Sequence, residues 1–327
     1  MVFKFTVQPS FNFLTSFAEK LKVPVVNNRL QLPASLGQGY VKKIDIETDL
    51  KFVMHHYTLN QELHLKRMEP QQKNDLISIV FNSIEVPTGL STVKREAIQF
   101  IKSHGSAIQV ASSSLGTESI FPAGSEVYFG VVGVQISRLM SLLHLKGTSS
   151  LVETMLSPET PFFFHENMTP DVHRILRQLS EIDDQDQLSH LSYRIKIQEL
   201  LYLLFHKLLS RDDDRQSHIN KADLEKLYAI RTTLIKDLSQ PPRLGDLAKM
   251  TSLSETKMKQ LFKQVFGDSI YNYYQHARME EAAFLLRESG YSVSEVGYEL
   301  GFSNLSHFSR LFEKYHGLTP KKFSVAG

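Results

Sequence analysis

Two stretches near the end of the chain are written on one pattern, and that repeat limits what the C-terminal third can become. They are "LGDLAKMTSLSETKMKQLFKQVFG" (244–267) and "SVSEVGYELGFSNLSHFSRLFEKYHG" (292–317). Leu247, Ala248, Leu253 and Ser254 match Val296, Gly297, Phe302 and Ser303 at a spacing of 49. Met258, Leu261, Phe262 and Gly267 match Phe308, Leu311, Phe312 and Gly317 at a spacing of 50, which puts one added residue inside the later helix of the second copy. Each copy reads as a short helix, a tight turn and a longer helix capped by serine and closed by glycine. That is helix-turn-helix grammar. Gly301 falls in the turn, where a positive φ is cheap only for glycine, and Gly297 allows the two helices of its copy to approach closely.

The longer helix of each copy has two unlike sides. Met258, Leu261, Phe262 and Val265 form an apolar face in the first, and Phe308, Leu311, Phe312 and Tyr315 in the second. The opposite faces carry Thr256, Lys257, Lys259, Gln260 and Lys263, and Asn304, Ser306, His307 and Arg310. Hydroxyls, amides and cations are the groups that read base edges and grip phosphates in a major groove. Between the copies, "DSIYNYYQHARMEEAAFLLRES" (268–289) predicts one connecting helix capped by Asp268 or Ser269. About twenty residues at 1.5 Å each give a rod of roughly 30 Å, close to the ~34 Å between successive major-groove faces of B-DNA.

The remainder is different in character, so the fold class is α+β with two domains. Residues 1 to about 160 predict strands, such as "KKIDIETDLKFVMHHYTL", "ELHLKRM", "DLISIVFNSI", "AIQVASSS" and "SEVYFGVVGVQIS". The turn signals "VPTGL" and "FPAGS" separate some of them, which points to a β-barrel or sandwich. Helices follow. Thr169 and Pro170 form a cap and a first helical position, and 188–210 carries Leu191, Ile195, Leu201, Leu204, Phe205 and Leu208 at helical spacing. "RDDDRQSH" (211–218) reads as a linker, and Asn220 then caps a helix whose Leu224, Leu227, Arg231, Leu234, Ile235 and Leu238 share a face, ended by Pro241 and Pro242. The expected organisation is a β domain with following helices over 1–210, a linker over 211–220 and a helical domain over 221–327.

The chain contains no cysteine, which removes disulfides, thiolate metal sites and cysteine nucleophiles together. The run "LLYLLF" is far too short to span a bilayer, and the N-terminus lacks a secretory pattern, so a cytoplasmic protein is expected. His55 and His56 are strand neighbours that point to opposite faces, "HENMT" lacks the second histidine of a zinc-protease motif, and no metal or other cofactor is expected. No glycine-rich nucleotide loop or G-x-S-x-G elbow occurs, and the protein does not read as an enzyme.

Residues 221–323 resemble the DNA-binding domain of AraC-type transcription regulators. The resemblance rests on the two repeat copies, on "ARMEEAAFLL" between them and on the tail "LTPKKF". It implies that Thr256, Lys259 and Gln260, with Ser306, His307 and Arg310, face bases. Gly297 stands where that family usually has alanine, which should loosen its helix by about 1 kcal/mol. Ser324 stands where an arginine often follows the terminal aromatic. The architecture resembles such regulators further: a cupin-like N-terminal domain for a small-molecule effector, helices over about 165–210 that form a homodimer, and RNA polymerase as a further partner of the DNA-bound protein. The alternatives are a metal-dependent cupin-like enzyme with an appended DNA-binding domain and an effector-independent regulator. The effector-binding residues are not legible.

Overall fold

The computed structural model describes residues 1–9, 11–47, 49–72, 74–85, 107–144, 154–155, 161–211, 219–288 and 291–326. The turn "VPTGL" and most of the expected linker, residues 212–218, lie outside them. The chain divides into two compact units, Met1–Lys221 and Ala222–Gly327.

The first unit is a β-sandwich with helices. Its large sheet is antiparallel and contains β2 (Val25–Val26), β3 (Arg29–Gln31), β4 (Gly37–Glu47), β5 (Leu50–Leu59), β7 (Leu76–Glu85), β8 (Ala107–Ser112), β10 (Glu126–Gln135) and β11 (Phe163–Asn167). Their order is β11-β8-β7-β10-β5-β4-β3-β2. A second sheet runs β1-β6-β9, from β1 (Val2–Thr6), β6 (Leu63–Met68) and β9 (Thr117–Phe121). The long stretch "KKIDIETDLKFVMHHYTL" is two strands, because β4 and β5 fold back on each other as a hairpin.

Alternation along each strand sends successive side chains to opposite faces, so the large sheet serves two cores. On one face Phe52, Met54, Ile79, Phe81 and Val132 pack against Ile175, Leu179, Ile197, Leu201 and Leu204 of the helices α3 (Pro170–Ser180) and α4 (Ser189–Leu209). On the other face Val41, Tyr57 and Phe129 meet Leu65 and Phe121 of the small sheet. Leu14 and Phe17 of α1 (Phe13–Leu21) complete that second core.

Helix α1 and the short α2 (Ile136–Leu143) interrupt a region expected to be all strands. Asn12 caps α1 by accepting from Thr15 N, while its stop is a left-handed Lys22 rather than a glycine. Thr169 caps α3 through Val172 N, with Pro170 at its first turn. In α4 the buried side is held by Tyr193, Ile197, Leu200, Leu201, Leu204, Phe205 and Leu208. Leu191 and Ile195 do not share it: they are 49% and 51% exposed.

The second unit is wholly helical among its described residues: α5 (Lys221–Lys236), α6 (Leu244–Thr251), α7 (Glu255–Phe266), α8 (Ile270–Glu288), α9 (Val293–Glu299), α10 (Leu305–His316) and α11 (Pro320–Ala326). Helix α8 is the spine. Tyr273 meets Phe262 and Phe266 of α7 near its start, and Ala282, Ala283 and Leu286 join Phe308 and Phe312 of α10 in one core further along.

No described helix is long and apolar enough to cross a membrane.

Candidate nucleic-acid interface

The α6–α7 and α9–α10 pairs are the two repeat copies. The later helices α7 and α10 are both 12 residues long, and both end on a left-handed glycine, Gly267 (φ 77°) and Gly317 (φ 72°). Ser254 caps α7 by accepting from Lys257 N. The cap of α10 is Asn304 and not Ser303: its Oδ1 accepts from Ser306 N at 2.9 Å and His307 N at 3.1 Å. The added residue of the second copy therefore sits in the turn. Serine aligns with serine by type, but the geometry pairs Ser254 with Asn304, since asparagine caps as well as serine does.

Before the turn, α6 closes on Ser252 at φ 53°, and α9 is followed by Gly301 at φ 75°. The α9 start is a full capping box between Ser292 and Glu295. Its hydrogen bonds hold the Glu295 carboxyl below the usual carboxylate range. The close approach expected at Gly297 is present, for an added Cβ would fall 2.5 Å from Leu305 Cδ2 and 3.3 Å from Phe308 Cδ1.

The outward faces sort into engaged and exposed groups. On α7, Thr256, Lys257, Lys259 and Gln260 are exposed and Lys263 is half-buried. The Lys257 ammonium turns back to donate to both oxygens of Asp223, at 3.2 and 3.1 Å, and Asp223 is buried on α5. That pair ties α7 to α5. Lys259 pairs with Glu255, one turn earlier, in an exposed contact at 3.2 Å. Such a contact is worth about 0–1 kcal/mol and yields readily to a phosphate. On α10, Ser306, His307 and Arg310 are exposed while Phe308 and Phe312 on the reverse side are fully buried. Asn304 is exposed too, with its carbonyl oxygen committed to the cap.

Three residues hold these faces in place, and the sequence did not single them out for that role. Arg278 of α8 is buried, donates to the Leu300 carbonyl at the end of α9 and to Gln275 Oε1, and lies 3.8 Å above the Phe302 ring. Arg231, expected on an apolar face, is buried there and donates from Nε to Tyr273 OH at 2.6 Å. Tyr274 OH donates to the Leu238 carbonyl at 2.8 Å. The available signal was the spacing itself, since Tyr274, Arg278 and Ala282 recur every four residues on the buried side of α8.

A domain with two capped helix-turn-helix units on a shared helical spine, each turning polar side chains outward, defines a helix-turn-helix protein of the tandem kind. Residues 247–325 match the family described as "Helix-turn-helix domain". Over 133 residues, 40% of this chain, it is 32% identical to the HTH-type transcriptional activator RhaR of Yersinia pseudotuberculosis, covering 46% of that protein. An uncharacterized HTH-type transcriptional regulator of Haemophilus influenzae is 24% identical over 240 residues, 71% of this chain and 72% of the relative. Among solved structures, the C-terminal domain of AraT, a response regulator from Geobacillus stearothermophilus, is 25% identical with a TM-score of 0.30 over 31% of this chain and 85% of that one. Residues 247–325 are therefore a helix-turn-helix domain of the AraC type. The chain spans about half the length of the RhaR relatives it matches.

In the first unit, His55 is buried against Phe129 at 3.9 Å, and burial pushes its imidazole down to about 3. Its neighbour His56 is half-buried. Among the described residues no group of three or more His, Asp or Glu side chains is placed to hold a metal ion.

Proposed function

We propose that this protein is a transcription regulator that acts in the cytoplasm, binding a specific promoter site through α7 and α10 and responding to a small molecule held by its first unit. In this reading residues 1–210 sense, 211–220 link, and 221–327 bind DNA. Thr256, Lys259 and Gln260, with Ser306, His307 and Arg310, face base edges; Lys263 lies toward the phosphates, Asn304 orients the start of α10, and Lys257 braces α7 against Asp223. The observation that carries the reading is the two-sidedness of α10, exposed at Ser306, His307 and Arg310 and sealed at Phe308 and Phe312. The 19 residues of α8, about 28 Å at 1.5 Å each, suit two reading helices one helical turn of DNA apart.

A second copy of the chain is the partner that fits α4. Leu188, Leu191, Ile195, Tyr202 and Leu209 are exposed at successive spacings of three, four, seven and seven residues, the period of a coiled-coil seam. Sedimentation of an Ile195→Lys variant should give a monomer where the wild type gives a dimer.

Selecting bound duplexes from random DNA yields the site, and titration against it tests the faces. Arg310→Ala should lose about 1–3 kcal/mol and relax the preference at one base pair. A Lys259→Ala and Arg310→Ala double variant that binds the selected site as tightly as wild type refutes the assignment.

A further inference from the structure

The two sheets of the first unit enclose a cavity of about 480 Å³, within the range of small-molecule sites. Strand pairing explains its wall. Residues opposite one another in an antiparallel pair share a face. One row across the large sheet therefore runs Lys51, Gly133, Ser78, Ala111, and the next runs Val53, Val131, Val80, Gln109. A third row brings His55, Phe129 and Asn82 together. The small sheet faces them with Arg67, Thr117 and Ser119. Gly133 lies on the cavity floor, and a Cβ added there meets nothing within 4 Å.

The polar groups in this wall are underused. Arg67 is 7% exposed, and among the described residues its one hydrogen bond runs from Nε to the Leu115 carbonyl at 3.0 Å. Among the described residues no carboxylate pairs with it, and burial alone lowers its guanidinium to about 10, which leaves it charged at neutral pH. Asn82 is 6% exposed, and its Oδ1 is sealed from solvent with no hydrogen-bond partner among the described residues. Gln109 is 8% exposed and likewise makes no side-chain hydrogen bond within the described structure. A buried cation without a counter-charge is costly, as is a buried carboxamide without a partner. Phe5, Phe13, Phe121, Val53, Val80 and Val131 give the wall an apolar stretch, and Lys43, Asp49 and Lys51 line it as well.

We propose that this cavity binds a small organic carboxylate with an apolar or aromatic body: Arg67 takes the carboxylate in a charge-assisted hydrogen bond, and Asn82 and Gln109 complete its polar contacts. The aromatic and valine side chains cover the body. The inference builds on the reading of the first unit as a sensor and assigns the chemical class of what it senses.

The test uses the full chain, with 3-phenylpropanoate and its neutral amide, 3-phenylpropanamide, as calorimetric probes. The carboxylate should bind at least about tenfold more tightly than the amide, as expected for a hydrogen bond to a charged group. Arg67→Met should erase that preference. Gly133→Leu, which fills the floor and leaves Arg67 in place, should abolish binding of both probes. Equal binding of acid and amide, a preference that survives Arg67→Met, or no binding of the acid at millimolar concentration each overturns the proposal. Titrating the selected DNA site with and without the acid separates the two readings. Acid binding that depends on Arg67 but leaves DNA affinity unchanged upholds the ligand class and refutes the sensor role.

Discussion

Gly301→Ala is the substitution for which the structure gives the sharpest expectation. At φ 75° an alanine meets its own backbone, at a cost of about 1–2 kcal/mol. Its Cβ would also fall 2.0 Å from the Ser239 carbonyl oxygen, 2.8 Å from its carbonyl carbon and 3.0 Å from its Cα. Those atoms are backbone, so no rotamer relieves the overlap. The Ser239 segment is pinned by two hydrogen bonds: the Leu238 carbonyl accepts from Tyr274 OH, and Ser239 N donates to Asp237 Oδ1. Displacing it adds about 1–3 kcal/mol, as overpacking does elsewhere, for a total of about 2–5 kcal/mol. Gly317→Ala is the matched control, because φ is 72° there and an added Cβ meets nothing within 4 Å. It should cost only the backbone portion, about 1–2 kcal/mol. Both variants gain the same small advantage from a less flexible unfolded chain, which cancels between them. Hydrogen exchange of the α9 and α10 amides in the full chain reads the local stability directly. If Gly301→Ala loses no more protection than Gly317→Ala, the close approach to Ser239 is not what demands glycine, and the reasoning fails.

Lys257→Met should destabilise the second unit by about 1–3 kcal/mol in urea unfolding, because it removes a charged hydrogen-bond partner from the buried Asp223 carboxylate, and it should leave the salt dependence of DNA binding nearly unchanged. Lys259→Met should leave stability within about 0.5 kcal/mol of wild type but weaken binding to the selected site by about 1–3 kcal/mol and relax the preference at one base pair. Arg278→Lys loses the fork that spans Leu300 O and Gln275 and the flat stacking on Phe302, so thermal unfolding should show a loss of about 1–3 kcal/mol even though the charge is kept. The first unit should lose stability as pH falls below about 6.5, since the unfolded chain protonates its histidine near the ordinary value while His55 in the folded state resists down to about 3. Each pH unit inside that window costs up to about 1.4 kcal/mol, and urea titrations of His55→Phe between pH 4 and pH 7 should show a correspondingly flatter slope.

The second unit was legible because its signals are local. Ser254, Gly267 and Gly317 announce helix ends within a few residues of the helices they bound, and the buried phenylalanines of α10 recur at the helical period. The added residue was misplaced for the same reason: matching by residue type favours Ser303, while capping is decided by which oxygen reaches Ser306 N and His307 N. Helix α1 was missed because it is nine residues long and stops on Lys22 without the glycine that marks helix ends elsewhere in the chain. On α4, period alone could not choose between two apolar stripes, and the sheet beneath it chose the one with Tyr193, Ile197 and Leu200. The cavity was hidden more thoroughly. Arg67, Asn82, Gly133 and Gln109 come from four strands, and only the register of the sheets brings them to one wall.

Comparison of the two turns explains why a repeat can keep its fold and still change its residues. Ser252 and Gly301 occupy the same left-handed position, 53° and 75° in φ, one written as serine and the other as glycine. Positive φ alone therefore does not require glycine here; serine bears the cost of about 1–2 kcal/mol in the first copy. What differs is the neighbour. Both positions are exposed, but a Cβ added at Gly301 would fall 2.0 Å from the Ser239 carbonyl oxygen. The second turn is also the one that Arg278 holds through the Leu300 carbonyl and the Phe302 ring, so α8 fixes it both by packing and by hydrogen bonding. A sequence repeat reports the shared backbone path. The side chains that break the repeat report what each copy is pressed against, and in this chain the second copy is the one built tightly into the spine.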